Sequence, residues 1–151
     1  MAPLWPMRSA DAYLAALGDS DKRVRRQAAA ALEVLGDKRA VEPLIALLAH
    51  DASPEVRGNA ARALGRLGDE RAFDLVAKAI DDPDHDVRVI AVFALARLDI
   101  RRAAEPLRRA LRHDDVVVRD AAQAALRDIM DPQSLSALVQ QIEEEDIVDE
   151  T

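Results

Sequence analysis

Short polar segments alternate with Ala- and Leu-rich runs along this chain, and the alternation returns at a fixed interval. A Val-Arg pair stands at Val24-Arg25, Val56-Arg57, Val87-Arg88 and Val118-Arg119, spaced 32, 31 and 31 residues apart. Counting from each Val, the eighth place holds Leu32, Leu64, Leu95 and Leu126, and the eleventh holds Leu35, Leu67, Leu98 and Ile129. Small residues fill the fourth place (Ala28, Ala60, Ala91, Ala122) and the seventh (Ala31, Ala63, Ala94, Ala125). These places form one stripe at helical spacing. A period of this length marks a stack of supersecondary units, each too small to bury its apolar side alone.

The punctuation places two helices in each unit. Helix A is predicted over Lys22 to Leu35, Glu55 to Leu67, Asp86 to Leu98 and Val116 to Ile129. Helix B follows over Arg39 to Ala49, Glu70 to Ile80, Arg101 to Arg112 and Gln133 to about Glu144. Ser53-Pro54 and Asp131-Pro132 read as an N-cap followed by Pro at the first helical position. Gly36 and Gly68 supply the left-handed residue that ends helix A, and Asp37 and Asp69 cap helix B. Pro43 and Pro106 fall early in helix B and predict a loose start or a bend there. An N-terminal arm over residues 1–8, whose Trp5 either packs over the exposed end of the first helix or docks on another molecule, leads into a half-repeat helix over 9–18 capped by Ser9. The units run over 19–50, 51–81, 82–113 and 114–142, so residues 9–142 form one domain. Met130 replaces the glycine of the fourth unit, and Gln133, Gln140 and Gln141 give it the polar face of a terminal cap. Residues 143–151 read as a frayed acidic tail.

Composition narrows the chemistry. Only 3% of residues are aromatic, so Ala, Leu, Val and Ile must build the core, which suits close helix packing. Six acids lie in the last nine residues, and removing them from a net charge of −7 leaves a body near −1. Nucleic-acid binding rests on neutralised phosphates, which this charge disfavours. The chain has no cysteine, which excludes disulfides, thiolate metal sites and a Cys nucleophile. No apolar run reaches membrane-spanning length, so a soluble cytoplasmic protein is expected.

The string Val-Arg-x-x-Ala-Ala-x-Ala-Leu-x-x-Leu-Gly-Asp-x-Arg-Ala-x-x-x-Leu over residues 56–76, with near copies on either side, resembles the short HEAT-like repeats named after the phycobilisome lyases. The resemblance implies an all-α fold: a right-handed α-solenoid of four two-helix units plus the N-terminal half-repeat, with helix B on the concave side. It implies no single activity. HEAT-like deoxyhypusine hydroxylases hold iron through His-Glu pairs two and three places after the Val. Those places here hold Arg26-Gln27, Gly58-Asn59, Val89-Ile90 and Asp120-Ala121, so no ligand pair is present. Phycobilin lyase chemistry has no residue to carry it in this chain. No cofactor and no metal are expected.

The repeated Arg25, Arg57, Arg88 and Arg119 are predicted to pair with the loop acids Asp19, Asp51, Asp82 and Asp114. His50, His85 and His113 read as surface loop residues. Candidate function falls on the solvent-facing stripe of helix B: Leu14, Ile45, Asp74, Ala77, Lys78, Arg101, Arg108, Arg109, Arg112 and Val139. Its charges either pair between layers, Asp74 and Asp81 against Arg108 and Arg112, or receive a partner. The chain's own acidic tail could also lie against these arginines. The expected function is a non-catalytic scaffold or adaptor that binds another protein's helix or peptide, with an acidic segment near Arg108. The alternatives are nucleic-acid binding of the DNA-repair HEAT kind through Arg97 to Arg112, and a non-catalytic subunit of a lyase-like complex.

Overall fold

The structure is a computed structural model and describes residues 9–150; the predicted arm with Trp5 lies outside them. Helix α1 (Ala10–Ala16) stands alone. The helices of the A type are α2 (Lys22–Leu35), α4 (Pro54–Leu67), α6 (His85–Leu98) and α8 (Val116–Leu126). Those of the B type are α3 (Val41–His50), α5 (Phe73–Lys78), α7 (Ile100–Ala110) and α9 (Pro132–Asp149). No strand occurs among the described residues.

Local chemistry sets the helix ends. Ser9, Asp21, Ser53, Asp84, Asp115 and Asp131 each accept a backbone N–H from the first turn of the helix that follows. Gly36 and Gly68 adopt φ of 65° and 69°. A side chain would be strained there, so glycine ends α2 and α4 cleanly. After each Gly-Asp pair the chain makes one 3₁₀ turn, Lys38–Ala40 or Glu70–Ala72, before the B helix begins. The prolines do not cause this, contrary to the sequence expectation. The second unit has the 3₁₀ turn without a proline in helix B, while α7 contains Pro106 and starts directly. The difference lies in the linker: Leu98 is followed at once by Asp99, which both ends α6 and caps α7.

The A helices stack side by side, α2 on α4, α4 on α6 and α6 on α8, with α3, α5 and α7 against them. Most of the stripe read from the sequence is core: Ala28, Leu32, Ala60, Leu64, Ala91, Leu95, Ala122 and Leu126 are fully buried, but at the eleventh place Leu35 is 50% exposed and Ile129 only half-buried. Contact is closest between α4 and α6, where Gly65 lies over the backbone of Ala94. The acidic tail expected to fray is helical instead. Helix α9 runs unbroken to Asp149, anchored through buried Leu135 and Ile142, and its acidic half projects beyond that anchor.

The repeated arginines tie each layer to the next. Arg25 donates Nη1 to the carbonyls of Asp19 and Ser20, and presents Nε and Nη2 to Asp51 of the following unit at 2.7 and 3.1 Å. Arg57 repeats this with the Asp51 and Ala52 carbonyls and the Asp82 carboxylate, both carboxylate contacts at 3.0 Å. Arg88 takes the Asp82 and Pro83 carbonyls and reaches Asp115, which is outside the predicted set of loop acids; Asp114 of that set offers only its carbonyl, to Arg119. The reason is His113, which stands where the other loops have aspartate. The loop acids Asp19, Asp51 and Asp82 each accept the N–H two residues on, and His113 Nδ1 does the same for Asp115. With no carboxylate at 113, Arg88 closes on Asp115. His85 Nδ1 meets the same oxygen at 2.6 Å. His85 and His113 are thus joined to an inter-layer contact and are not free loop residues.

These contacts make acid sensitivity a property of the layers. The Asp115 carboxyl is held well below the usual range, chiefly by the Arg88 hydrogen bond, against the burial that opposes it. At Asp51 burial is the largest influence and raises the value, but Arg25 and the Ser53 N–H together outweigh it and lower it. Asp69 is drawn down to about 2 by the Arg71 side chain and then by its N–H. A carboxyl whose folded value lies below its ordinary 3.8 adds stability above that pH and loses it as pH falls through the folded value. Thermal melts followed by circular dichroism are therefore expected to hold steady from roughly pH 7 to 5 and to fall steeply below about pH 4. A melting temperature unchanged at about pH 2 would contradict this.

Candidate functional site

A second ladder, on the B helices, decides which charges are left for function. The first three units carry an arginine fifteen places after their Val, Arg39, Arg71 and Arg102, and the fourth has Gln133 there. Each reaches back one layer, to Asp11 at 2.8 Å, Glu42 at 2.9 Å and Asp74 at 3.4 Å. Arg39 and Arg71 also grip their own capping Asp37 and Asp69. Such exposed pairs each contribute about 0–1 kcal/mol, so they orient side chains more than they hold the fold. Arg102 also lies over the Phe73 ring, 4.0 Å from its centroid.

The predicted pairing of Asp74 and Asp81 with Arg108 and Arg112 is replaced by another register. Asp74 meets Arg102, Asp81 meets His113 Nε2 at 3.2 Å, and Arg112 bonds Glu145 of α9. The Arg112 guanidinium is accordingly raised, first by the Glu145 hydrogen bond and then by its charge, with Asp146 and Asp149 behind it. The acidic end of the chain does lie against one arginine of the third layer. Arg101, Arg108, Arg109 and Lys78 have no carboxylate within 4.0 Å among the described residues.

Four of the predicted residues, Asp74, Ala77, Lys78 and Arg109, line one open groove of about 430 Å³ between α5 and α7. Phe73, Ile80, Pro106 and Ala110 give it apolar walls, and Asp81 and His113 also line it. Arg101 and Arg108 are exposed on α7 outside that lining. Leu14, Ile45 and Val139 are half-buried against the core in other layers and do not reach this groove. Phe73 and His113 are neighbours of the site that the sequence does not single out, and Arg102, which it gives only as flanking the stripe, is the partner of Asp74. The place of Arg102, equivalent to Arg39 and Arg71, was the available signal. Among the described residues no group of three His, Asp or Glu could hold a metal ion, and no helix is long and apolar enough to cross a membrane.

Comparison with known proteins bears on this arrangement. A family model described as HEAT repeats matches residues 10–88 and 74–150. No curated protein matches the sequence. Among solved structures, the complex of CpcE and CpcF of phycocyanin lyase from Nostoc sp. PCC7120 is similar at a TM-score of 0.68 and 24% identity, over 91% of this chain and 71% of that one. Two engineered proteins solved by the Northeast Structural Genomics Consortium are similar at TM-scores of 0.63 and 0.58. Each is 22% identical over 91% of this chain, and the matches cover 69% and 70% of their own lengths. At these identities the likeness concerns the fold.

Proposed function

Because the chain belongs to the HEAT repeat family, we propose that it is a non-catalytic adaptor that binds a partner protein along the face formed by its B helices. The partner presents an apolar side chain to the groove between α5 and α7 and an acidic segment to α7. The carrying observation is what the inter-layer ladder leaves over. Asp74 is already paired with Arg102, whereas Lys78, Arg101, Arg108 and Arg109 keep their charge for something outside the described residues. An apolar floor beside unpaired cations fits an amphipathic acidic helix, in which the floor supplies affinity and the charges choose the partner. The similar Nostoc lyase chain was solved in complex with a second chain, in keeping with a partner-binding role for this fold.

Arg108→Glu combined with Arg109→Glu tests this. Neither side chain holds a carboxylate among the described residues, so helix content and melting temperature should stay within the small range of surface substitutions. Capture of the partner in a pull-down with quantitative mass spectrometry is expected to fall by at least about tenfold. Undiminished capture by the double variant would remove α7 from the interface.

A further inference from the structure

In the first three units the repeated arginine is used on two edges. Nη1 is fixed by two carbonyls of its own loop, and Nε with Nη2 faces the next layer and takes an aspartate: Arg25 with Asp51, Arg57 with Asp82, Arg88 with Asp115. Arg119 of the fourth unit is held in the same way, with Nη1 donating to the carbonyls of His113 and Asp114 at 2.7 and 3.3 Å. Its other edge meets no carboxylate among the described residues, because α9 runs on as helix through the place, one period after residue 113, where the next loop aspartate would stand.

We infer that Arg119 is a carboxylate-binding site on the last described layer, and that it takes an aspartate presented on a turn of a partner protein. The warrant is internal: three guanidiniums in the same backbone cradle each hold one aspartate, so the fourth is preorganised for the same ligand. Arg119 opens on a cleft of about 380 Å³ that also has apolar wall from Leu111, Val139 and Ile142. Asp120, Glu143 and Asp146 line the same cleft. Arg112 lines it too but is already paired with Glu145, so the three acids disfavour a polyacidic run and the site selects a single carboxylate that meets the Arg119 fork directly. A second copy of the chain is a poor source of that aspartate. The equivalent acid of the first unit is Asp19, but α1, tied to Arg39 through Asp11, already occupies the B-helix place that an incoming α9 would need.

The probe is an acetylated, amidated peptide of residues 48–57 of this chain, which carries Asp51 and the turn that Arg25 grips. The control peptide has Asp51→Asn. Titrated into the ¹⁵N-labelled full chain, the first peptide is expected to shift the Arg119 Nε–H signal saturably, and the control to bind about tenfold more weakly or not at all. Arg119→Lys keeps the charge but loses the fork, and should weaken binding by a similar factor with helix content unchanged. Equal shifts from the two peptides, no shift from either, or full binding by the Lys variant would overturn the inference. So would self-association of the full chain that disappears in Arg119→Lys, since the aspartate would then come from a second copy. Arg108 and Arg109 do not line this cleft, so the outcome of the titration is separate from that of the Arg108 and Arg109 double variant.

Discussion

Replacing Arg57 with methionine is expected to lower the free energy of unfolding by about 3 kcal/mol, near the lower end of what breaking a buried ion pair removes. The side chains of Arg57 and Asp82 are only 15% and 9% exposed. Methionine fills much of the volume of the arginine stem but leaves the Asp82 carboxylate with the Asp84 N–H as its remaining donor. It also strips a donor from the carbonyls of Asp51 and Ala52. An uncompensated buried charge dominates such a loss, so adding Asp82→Leu to Arg57→Met should restore a large part of it. Urea unfolding followed by far-UV circular dichroism measures both. A loss below about 1 kcal/mol in the single variant would reclassify this contact as a surface pair.

The second large effect is expected at a glycine with an ordinary helical backbone. A Cβ added at Gly65 would stand 2.9 Å from both Cα and Cβ of Ala94 and 3.2 Å from its carbonyl oxygen, so α4 and α6 would have to part. Gly65→Ala gains about 1 kcal/mol of helix propensity but meets an overpacking penalty of about 1–3 kcal/mol, for a net loss. Gly65→Leu, with no room for the longer side chain, should lose more than about 3 kcal/mol. Gly58 lies on the same helix and gives the opposite sign. A Cβ there would meet the flexible tip of Ile90, Cδ1, at 3.1 Å, so Gly58→Ala should be neutral or stabilise by up to about 1 kcal/mol. Equal behaviour of the two alanine variants in urea would mean that the α4–α6 approach does not limit the stack.

Much of the fold is legible in the chain because the signals are local or periodic. Caps at Ser53 and Asp131, left-handed Gly36 and Gly68, and an apolar stripe recurring every 31 or 32 residues act within one turn or one unit. The helical run through Glu143 to Asp149 was not legible, because a dense acidic segment has no packing of its own. It is continued from a helix anchored at Leu135 and Ile142, and Glu145 finds Arg112 across the layer. The site was legible as a set of residue types and illegible as a set of pairs. Asp74 has cations on α7 at several places, and only the layer offset selects Arg102 over Arg108.

By itself, then, the order of residues determined the number and kind of units, the caps that start most of their helices, and the face each helix turns to its neighbour. A period and a cap need nothing beyond their own neighbourhood to act. Which cations remain unpaired was decided by the tertiary structure alone. Pairing depends on how far one layer is displaced along the next, and a single missing glycine before Asp99 or a histidine at 113 changes which partners stand opposite.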